Sequence, residues 1–284
     1  MEDDSPRSIN YDKTNPALNI EGYNDEGSFD AEALYEVKPL EHKLQLHKYI
    51  GALLASNKTL PKQVIKGSGV LISPDLVLTV AHNVWLRQGN QENYNIKFYP
   101  GLCGPLSANP CYDCTVVYYP EDHKVSEKPI HDYALLQLSQ PILDKEDDFL
   151  PLSPSINGDL EAANGIMLAI YGYPAVKYVQ LDSRAKETKA CQWGLVKSDL
   201  IVEIKEKSAE LLHKISTLKG QSGCPIVDID EDSPSIVGIH KGSAIVTING
   251  QKVTINVGRI ITTDLIETLE REVKKKGAHM FRVK

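Results

Sequence analysis

The sequence predicts an all-β protein, either a sandwich or a barrel, and three observations support that prediction. Short apolar runs begin at Tyr49 and recur with turn residues between them at intervals of about 8–12 positions, which is typical of both architectures. The runs form two sets separated by a charged, proline-containing connector at 141–159. One segment with helical spacing follows both sets and starts near Thr263.

The two sets of runs predict two β-units of similar size. Runs of the first unit lie at 49–54, 70–72, 76–80, 115–119 and 134–138. Runs of the second lie at 166–171, 200–204, 225–227, 236–239 and 244–248, and Asn249-Gly250 predicts a hairpin turn into 251–255. We expect a first β-unit at 41–150, a second at 151–262, and a helix with its tail at 263–284, capped by Thr263 or Asp264.

Residues 1–40 differ from the rest in composition. Asn, Asp, Glu, Gly, Pro and Ser dominate, and the one apolar stretch is short, at 31–37. This predicts a loosely ordered N-terminal extension or pro-segment. Residues 1–6 are acidic and lack the basic and apolar regions of a secretory signal. We therefore expect a cytoplasmic protein, or a secreted one if an exported leader precedes this sequence.

Composition excludes several classes of partner. The 284 residues are 42% hydrophobic and carry a formal net charge of −7, which argues against nucleic acid or an anionic membrane surface. No stretch approaches the ~18 uninterrupted apolar residues of a membrane span. The five cysteines are odd in number, so at least one thiol is unpaired, and a set of free thiols fits a reducing compartment.

Three residues in chain order, His82, Asp132 and Ser222, can form a nucleophilic site. A serine hydroxyl needs an imidazole to take its proton, and the imidazole needs a carboxylate to fix its tautomer. His82 ends an apolar strand, and Asp132 opens the apolar run at 133–138. His131 is a competitor for the imidazole role, but neighbours in an extended strand point to opposite faces. His131 and Asp132 are therefore not expected to share a site.

The chain resembles the chymotrypsin-fold (trypsin-like) serine proteases, and is closest to the glutamyl endopeptidases of bacterial type. The order His, Asp, Ser belongs to that fold, since α/β-hydrolases and subtilisin-like enzymes use other orders. Five matches in family order carry the resemblance over about 45–270: GSGVLI at 67–72, TVAH at 79–82, DYALL at 132–136, GYP at 172–174, and STLKGQSGCPIV at 216–227 followed by IVGIH at 236–240. The chain departs from the family at Gln221 and Cys224, neither of which performs the chemistry.

The resemblance implies a double six-stranded β-barrel of chymotrypsin type with a C-terminal helix. It implies a serine endopeptidase that acts as a monomer on a protein or peptide substrate through an acyl-enzyme, without a cofactor. His82, Asp132 and Ser222 would be the catalytic triad. The backbone amides of Gly220 and Ser222 would form the oxyanion hole, which is worth ~2.7–4 kcal/mol per donor.

Substrate preference can also be read from the resemblance. The position that selects Lys or Arg in trypsin-like enzymes is occupied by the neutral Ser216. The positions that bind a substrate carboxylate in glutamyl endopeptidases are Thr217 and His240, and we add Lys241 and Ser243 as further substrate-binding residues. A buried carboxylate needs hydrogen-bond donors, preferably a cationic one. The sequence therefore predicts a preference for Glu or Asp before the scissile bond.

Two other functions compete with this interpretation. An inactive, protease-like binding module would share the fold, although such a protein would be expected to lose part of the triad. A zinc-dependent interaction protein would use Cys103, Cys111 and Cys114, which lie close together in the sequence and have the thiolate chemistry that zinc requires. The second half of a two-knuckle zinc pattern is missing, so we predict no metal site.

Overall fold

A computed structural model describes residues 35–37, 45–57, 64–85, 94–124, 129–142, 149–154, 166–175, 179–182, 187–198, 201–205, 209–229, 234–248 and 251–284. Within these ranges no helix is both long enough and apolar enough to cross a membrane.

The chain is mostly β, as predicted, and carries a helix near its C-terminal end. The elements in chain order are β1 (Tyr35–Glu36), α1 (Gln45–Lys48), β2 (Ile50–Asn57), β3 (Val64–Ser73), β4 (Leu76–Thr79), β5 (Tyr94–Pro100), β6 (Gly104–Pro105), β7 (Tyr112–Tyr118), β8 (Ala134–Leu138), β9 (Met167–Gly172), β10 (Val179–Asp182), β11 (Glu187–Ala190), β12 (Trp193–Ser198), β13 (Ile201–Lys205), β14 (Glu210–His213), β15 (Pro225–Asp228), β16 (Ser235–Ile248), β17 (Gln251–Ile260) and α2 (Thr263–Lys276).

The first β-unit is a closed six-stranded barrel. Its strands follow the order β2-β3-β4-β8-β7-β5, and every hydrogen-bonded pair is antiparallel. Closure leaves no unpaired strand edge. Alternate residues of each strand point inward, and those of this barrel include Leu53, Leu71, Val77, Phe98 and Leu136, all of them buried.

The second β-unit is an eight-stranded antiparallel sheet among the described residues. Its order is β1-β12-β9-β15-β16-β17-β14-β13, so its strands are not arranged there as the closed ring of six that the sequence predicts. The predicted hairpin is present, because β16 pairs with β17 up to Ile248 and Gln251. Its turn, 249–250, lies outside the described residues. One face of the sheet packs a separate apolar cluster that includes Leu168, Ile226 and Val237.

Part of the predicted N-terminal extension belongs to this second sheet. Tyr35 and Glu36 pair with β12, and the amide of Val37 donates to the carbonyl of Gln192 at 2.9 Å. The Val37 side chain is completely buried in the main apolar cluster. Tyr35–Glu36 is thus an edge strand and Val37 is anchored in the core, against the prediction of a loosely ordered segment. The remainder of that extension, 1–34 and 38–40, lies outside the described residues.

The connector and the C-terminal segment tie the two units together. Leu152 in the connector is buried and bridges both Ile236 and Val283. Beyond α2, the backbone amide of His279 donates to Asp75 of the first barrel at 3.3 Å. The polar composition of the connector predicted a linker, whereas its described residues Phe149, Leu150 and Leu152 are buried in the core.

The cap of helix α2 lies one residue before the nearer of the two predicted cap residues. The hydroxyl of Thr262 accepts the amide of Leu265 at 3.2 Å, so Thr262 caps the helix rather than Thr263 or Asp264. A Thr hydroxyl in this position satisfies one of the free amides of the first turn. One face of α2 is buried in the main apolar cluster, with Leu269 and Val273 fully enclosed.

Candidate active site

His82 and Asp132, which are far apart in the sequence, are in direct contact. His82 lies on a short 3-10 turn, Ala81–Asn83, just after β4. Its Nδ1 is 2.8 Å from Oδ2 of Asp132, and its backbone amide donates to Oδ1 at 3.1 Å. A carboxylate at Nδ1 holds the proton there and leaves Nε2 as the acceptor. The His82 side chain is about one-third exposed, at 32%, so part of the imidazole is open to solvent.

Asp132 is buried, and both of its oxygens face donors. Lys241 Nζ lies 3.5 Å from Oδ2, and His123 Nδ1 lies 3.8 Å from Oδ1. Burial by itself would raise the pKa of Asp132, but the charges of His82, Lys241 and His123 and the hydrogen bond from His82 hold that pKa well below its usual range. The carboxyl group is therefore ionised at any pH at which the protein would work.

Asp132 does not open a strand, contrary to the sequence prediction. It follows a 3-10 turn, Pro129–His131, and β8 begins only at Ala134. His131 and Asp132 do point apart, as predicted, but because of this turn rather than strand alternation. His131 Nε2 lies 3.9 Å from the exposed Asp122.

Arg259 of β17 anchors the turn that carries Asp132. Its Nε donates to the carbonyl of Ile130 at 3.0 Å, and its guanidinium carbon lies 4.9 Å from the ring centre of Tyr133. These two contacts fall on either side of Asp132. Sequence analysis missed Arg259, since no local pattern links β17 to residues 130–133.

Ser222 lies in the turn before β15. Donors of the first barrel bind the backbone carbonyls of this turn. The amide of Ser68 and Nδ2 of Asn83 both donate to the carbonyl of Ser222, at 2.9 and 2.8 Å. The hydroxyl of Ser68 donates to the carbonyl of Gly220 at 2.9 Å. Because Asn83 adjoins His82, these bonds bring Ser222 next to the His82 turn. Sequence analysis treated Ser68 only as part of a motif and did not single out Asn83.

The glycine after Ser222 is required by both space and backbone conformation. Gly223 has φ +89°, in the left-handed region that favours glycine. A Cβ on it would also collide with the carbonyl oxygen of Ser68 and the hydroxyl of Thr79. The turn can therefore dock against β3 and β4 only if this residue has no side chain.

Two backbone amides of this turn remain available. The other amides nearby donate to carbonyls at N···O distances of 2.7–3.1 Å; these are the amides of Gln221, Gly223 and Cys224. Within the described part of the chain, the amides of Gly220 and Ser222 donate to no main-chain carbonyl. They are the pair that the sequence assigns to an oxyanion hole, which needs uncommitted donors.

Cys224 is not positioned as a nucleophile. Its side chain is completely buried in the apolar cluster of the second sheet, and burial raises the pKa of its thiol far above the usual range. A thiol of this kind is inert, because only the thiolate is nucleophilic. This burial agrees with the expectation from the sequence that Cys224 does not perform the chemistry.

The predicted specificity residues lie close to this turn. The amide of His240 donates to the carbonyl of Cys224 at 2.8 Å, and the carbonyl of His240 accepts the amide of Gly223 at 2.7 Å. Thr217 and His240 are both buried, and Ser243 is partly exposed. The structure therefore brings β16 against the Ser222 turn, whereas the role of these residues in binding substrate stays a prediction.

A second buried histidine, His213 of β14, packs against His240. Their ring centres are 5.5 Å apart in an edge-to-face arrangement. Burial lowers the pKa of His213 to about 3, and burial together with the charges of His213 and His82 lowers the pKa of His240 well below its usual value. Among the described residues, both ring nitrogens of His213 and Nδ1 of His240 have no hydrogen-bond partner. Sequence analysis overlooked His213, although a histidine ending an apolar strand was a signal.

The Lys241 side chain does not point where its predicted role in substrate binding requires. The sequence places it among the substrate-binding residues with His240 and Ser243. Its ammonium instead lies on Asp132, and its side chain is 9% exposed. It therefore belongs to the surroundings of the His82–Asp132 pair.

The three cysteines singled out in the sequence, Cys103, Cys111 and Cys114, differ in their surroundings. Cys103 Sγ lies 3.3 Å from Cys191 Sγ, whereas Cys111 is exposed. Burial, with a smaller effect of Asp113, raises the pKa of Cys114 to about 12. Over the described ranges, no three His, Cys, Asp or Glu residues are grouped closely enough to hold a metal ion.

The fold and this geometry agree with a known family. Residues 67–239, more than half of the chain, match the model of the trypsin-like peptidase domain. The chain therefore belongs to the trypsin-like peptidase family, and its substrates are proteins or peptides. Among curated proteins, no sequence is similar enough to this chain to count as a match.

Two solved structures of proteases share the fold. A Glu endopeptidase in complex with MPD is 19% identical, with a TM-score of 0.59, over 84% of this chain and 95% of its own. The protease Anisep from Arthrobacter nicotinovorans is 16% identical, with a TM-score of 0.55, over 80% of this chain and 96% of its own. At these identities the likeness concerns the fold alone, and the predicted chymotrypsin-type fold is confirmed.

Proposed function

We propose that this chain is a serine endopeptidase that cleaves peptide bonds through an acyl-enzyme. In this mechanism Nε2 of His82 takes the proton of the Ser222 hydroxyl as Oγ attacks the carbonyl carbon of the substrate. Asp132 holds the imidazole in the required tautomer and stabilises the imidazolium that forms. The same imidazolium then gives its proton to the leaving amine, and water, activated by His82, releases the acyl group.

The observation that best supports this proposal is the arrangement of the Ser222 turn against the His82 turn. Ser68 and Asn83 hold the carbonyls of Gly220 and Ser222, and the two corresponding amides stay uncommitted. Those amides are donors for the oxyanion that develops on the substrate carbonyl. Preorganised donors are effective because they need no reorientation when the charge appears.

We further propose that the enzyme prefers Glu or Asp before the scissile bond. Thr217, His240 and Ser243 would surround the acidic side chain of the substrate. The buried ring nitrogens of His213 and His240 that have no partner in the described structure support this assignment, because buried polar groups without partners are costly. A substrate carboxylate at His240 would supply a partner. One structural neighbour is named as a Glu endopeptidase, which is consistent with this preference.

Covalent labelling tests the proposed mechanism. A fluorophosphonate probe is expected to modify Ser222 and no other serine, since His82 activates only that hydroxyl. Ser222→Ala is expected to abolish both labelling and hydrolysis, with a loss of up to about 10⁶-fold in kcat. The measurement is peptide mapping of the labelled protein together with hydrolysis of a casein-type substrate.

Ser139→Ala is the matched control for this experiment. Ser139 is an exposed serine just after β8, so its loss removes a hydroxyl without touching the site. It is expected to leave labelling and turnover unchanged. Labelling at another serine, or undiminished hydrolysis by Ser222→Ala, would overturn the mechanism. Binding of peptides without labelling or hydrolysis would instead support the protease-like binding module.

A further inference from the structure

Lys241 is a buried cation that reaches from the second sheet to a carboxylate of the first barrel. Its Nζ lies 3.5 Å from Oδ2 of Asp132, the same oxygen that faces Nδ1 of His82 at 2.8 Å. The ammonium and the imidazole therefore share one acceptor atom. The lysine side chain is 9% exposed and the aspartate 2%, so water screens this ion pair poorly.

The backbone of β16 explains why Lys241 points towards Asp132. The pairing of β16 with β17 shifts its register between His240 and Gly242, so Lys241 is the extra residue of a bulge. A bulge redirects a side chain that would otherwise follow the alternation of the strand. The preceding residue, His240, is bonded through its carbonyl to Gly223 of the Ser222 turn. The bulge thus fixes Lys241 relative to the nucleophile turn while its ammonium contacts Asp132.

We propose that Lys241 is a positioning residue that holds Asp132 from the second sheet. Through Asp132 it helps to set the pH below which His82 is already protonated and cannot act as the base. The proposal rests on the proposed function of His82 as the general base. In this proposal Lys241 acts on His82 through its ion pair with Asp132.

The physical effect follows from charge. A protonated His82 and Lys241 would be two cations beside one carboxylate, so the ammonium opposes protonation of the imidazole by solvent. Removing the ammonium leaves Asp132 with its full negative charge directed at His82, and protonation of His82 becomes more favourable. As the pH is lowered, the enzyme without Lys241 should therefore lose activity at a higher pH than the parent enzyme does.

The other titratable groups around this pair do not replace Lys241. His123 lies 3.8 Å from Oδ1, the oxygen that Lys241 does not face. His240 and His213 are buried in the second sheet, where desolvation favours their neutral forms. Lys241 is thus the one permanent cation that the described residues place against Asp132.

The deciding experiment is the pH profile of kcat/KM on a peptide substrate. Lys241→Met is expected to move the acidic limb upward by about one pH unit, a size moderated by the partial exposure of His82. Lys241→Arg keeps a cation and is expected to restore the parental limb. Should Lys241→Met fold poorly, Lys241→Gln also removes the charge while keeping a donor for Asp132, and the same upward shift is expected.

Lys97→Met is the matched control. Lys97 is an exposed lysine of the first barrel, 3.6 Å from Asp113, and its loss changes the net charge by the same amount. It is expected to leave the acidic limb in place. An unchanged limb in both Lys241→Met and Lys241→Gln, or an equal shift in Lys97→Met, would overturn the proposal.

A second readout separates this proposal from the proposed function. In Ser222→Ala protein labelled with ¹⁵N-histidine, the ring resonances of His82 can be followed against pH by NMR without any hydrolysis. Adding Lys241→Met is expected to move their titration midpoint upward by the same amount, whether or not the parent cleaves peptides. A midpoint that does not move would reject the role of Lys241 even in an active enzyme.

Discussion

The two β-units use buried polar groups in opposite ways. The first barrel has an apolar interior, and its buried polar residues are mostly small; they include Ser68, Ser73, Asp75, Thr79 and Asn83, with Asp132 and His123 at the rim. Ser68 and Asn83 bond to the Ser222 turn, whereas Ser73 bonds to Asp75 within the barrel. Among the described residues, the second unit buries more polar and titratable groups; they include Gln192, Glu210, His213, Ser216, Thr217, Gln221, Asp228, Ser235, His240, Lys241, Asn256 and Arg259.

This difference suggests that the two units have different roles in the site. In the first barrel, a closed apolar core supports the His82 and Asp132 turns, and the ionised carboxylate of Asp132 faces His82, His123 and Lys241. In the second sheet, the rings of His213 and His240 stay buried with nitrogens that have no partner among the described residues. Such groups cost stability, and proteins retain that kind of cost where a ligand is bound. Under the proposed function, the first unit would supply the base, and the second would supply substrate recognition.

The largest effect expected from this comparison is at Asp132. Asp132→Asn should leave the fold intact but place the wrong hydrogen-bonding group against Nδ1 of His82. The imidazole would then adopt the other tautomer, with its proton on Nε2. A loss of about 10⁴-fold in kcat is expected, measured by steady-state hydrolysis near neutral pH.

Asp75→Asn is the control for this substitution within the same barrel. Asp75 is also buried, and it accepts hydrogen bonds from Gln137 and from the His279 amide, far from the His82 turn. Its loss should lower the free energy of unfolding and leave kcat nearly unchanged. Comparable losses of kcat in both variants would mean that the first barrel acts only as a scaffold.

The next effect in size concerns recognition by the second sheet. If His240 binds the acidic side chain of the substrate, a peptide with Glu before the scissile bond should be cleaved faster than its Gln counterpart. His240→Leu removes a donor from a buried site, so kcat/KM on the Glu peptide should fall by the roughly 1.5–3 kcal/mol of a hydrogen bond to a charged group. That corresponds to a loss of roughly 10- to 150-fold.

The Gln peptide is the internal control for that measurement, because it has the same shape without the charge. Its kcat/KM should change little in His240→Leu. Equal losses on both peptides would show that His240 supports the fold of the second sheet. A parent enzyme that prefers Lys or Phe would reject the acidic pocket altogether.

The sequence was informative wherever local chemistry and chain order were sufficient. The apolar runs and turn residues predicted many of the strands, although not β5, β10, β11, β12 or β14. The order of His82, Asp132 and Ser222 predicted which units would meet. Gly223 was predictable as part of a tight turn, since glycine is the residue that tolerates its backbone conformation. The contact between His82 and Asp132 confirms that part of the arrangement.

What the sequence could not reveal depends on contacts between distant strands. Nothing near Arg259 indicates that it binds the carbonyl of Ile130. The direction of Lys241 depends on a bulge, and a shift of one residue in register turns a side chain from one face to the other. Val37 was assigned to a polar extension because its neighbours dominate the local composition, although its own side chain is apolar and buried.

The smallest expected effect is on the pH dependence of the free energy of unfolding, which we assign to the second sheet. The pKa of His213 is lowered to about 3 by burial, whereas an imidazole in an unfolded chain titrates near ~6.5. Between these values the unfolded chain binds a proton that the native chain does not, so this contribution to stability is complete above pH ~6.5 and is lost as the pH falls. The loss should approach about 1.4 kcal/mol per pH unit. Urea unfolding at pH 6 and pH 5 should show that His213→Leu reduces the difference between the two free energies of unfolding. Asp132 contributes in the same direction only near and below the ordinary carboxyl range, about pH 4. The control is His131→Leu, which removes a partly exposed histidine from the first unit. It should leave the difference between the free energies of unfolding at pH 6 and pH 5 as it is in the parent. If His131→Leu and His213→Leu flatten the pH dependence equally, acid sensitivity is shared by both units and the contrast between them does not extend to stability.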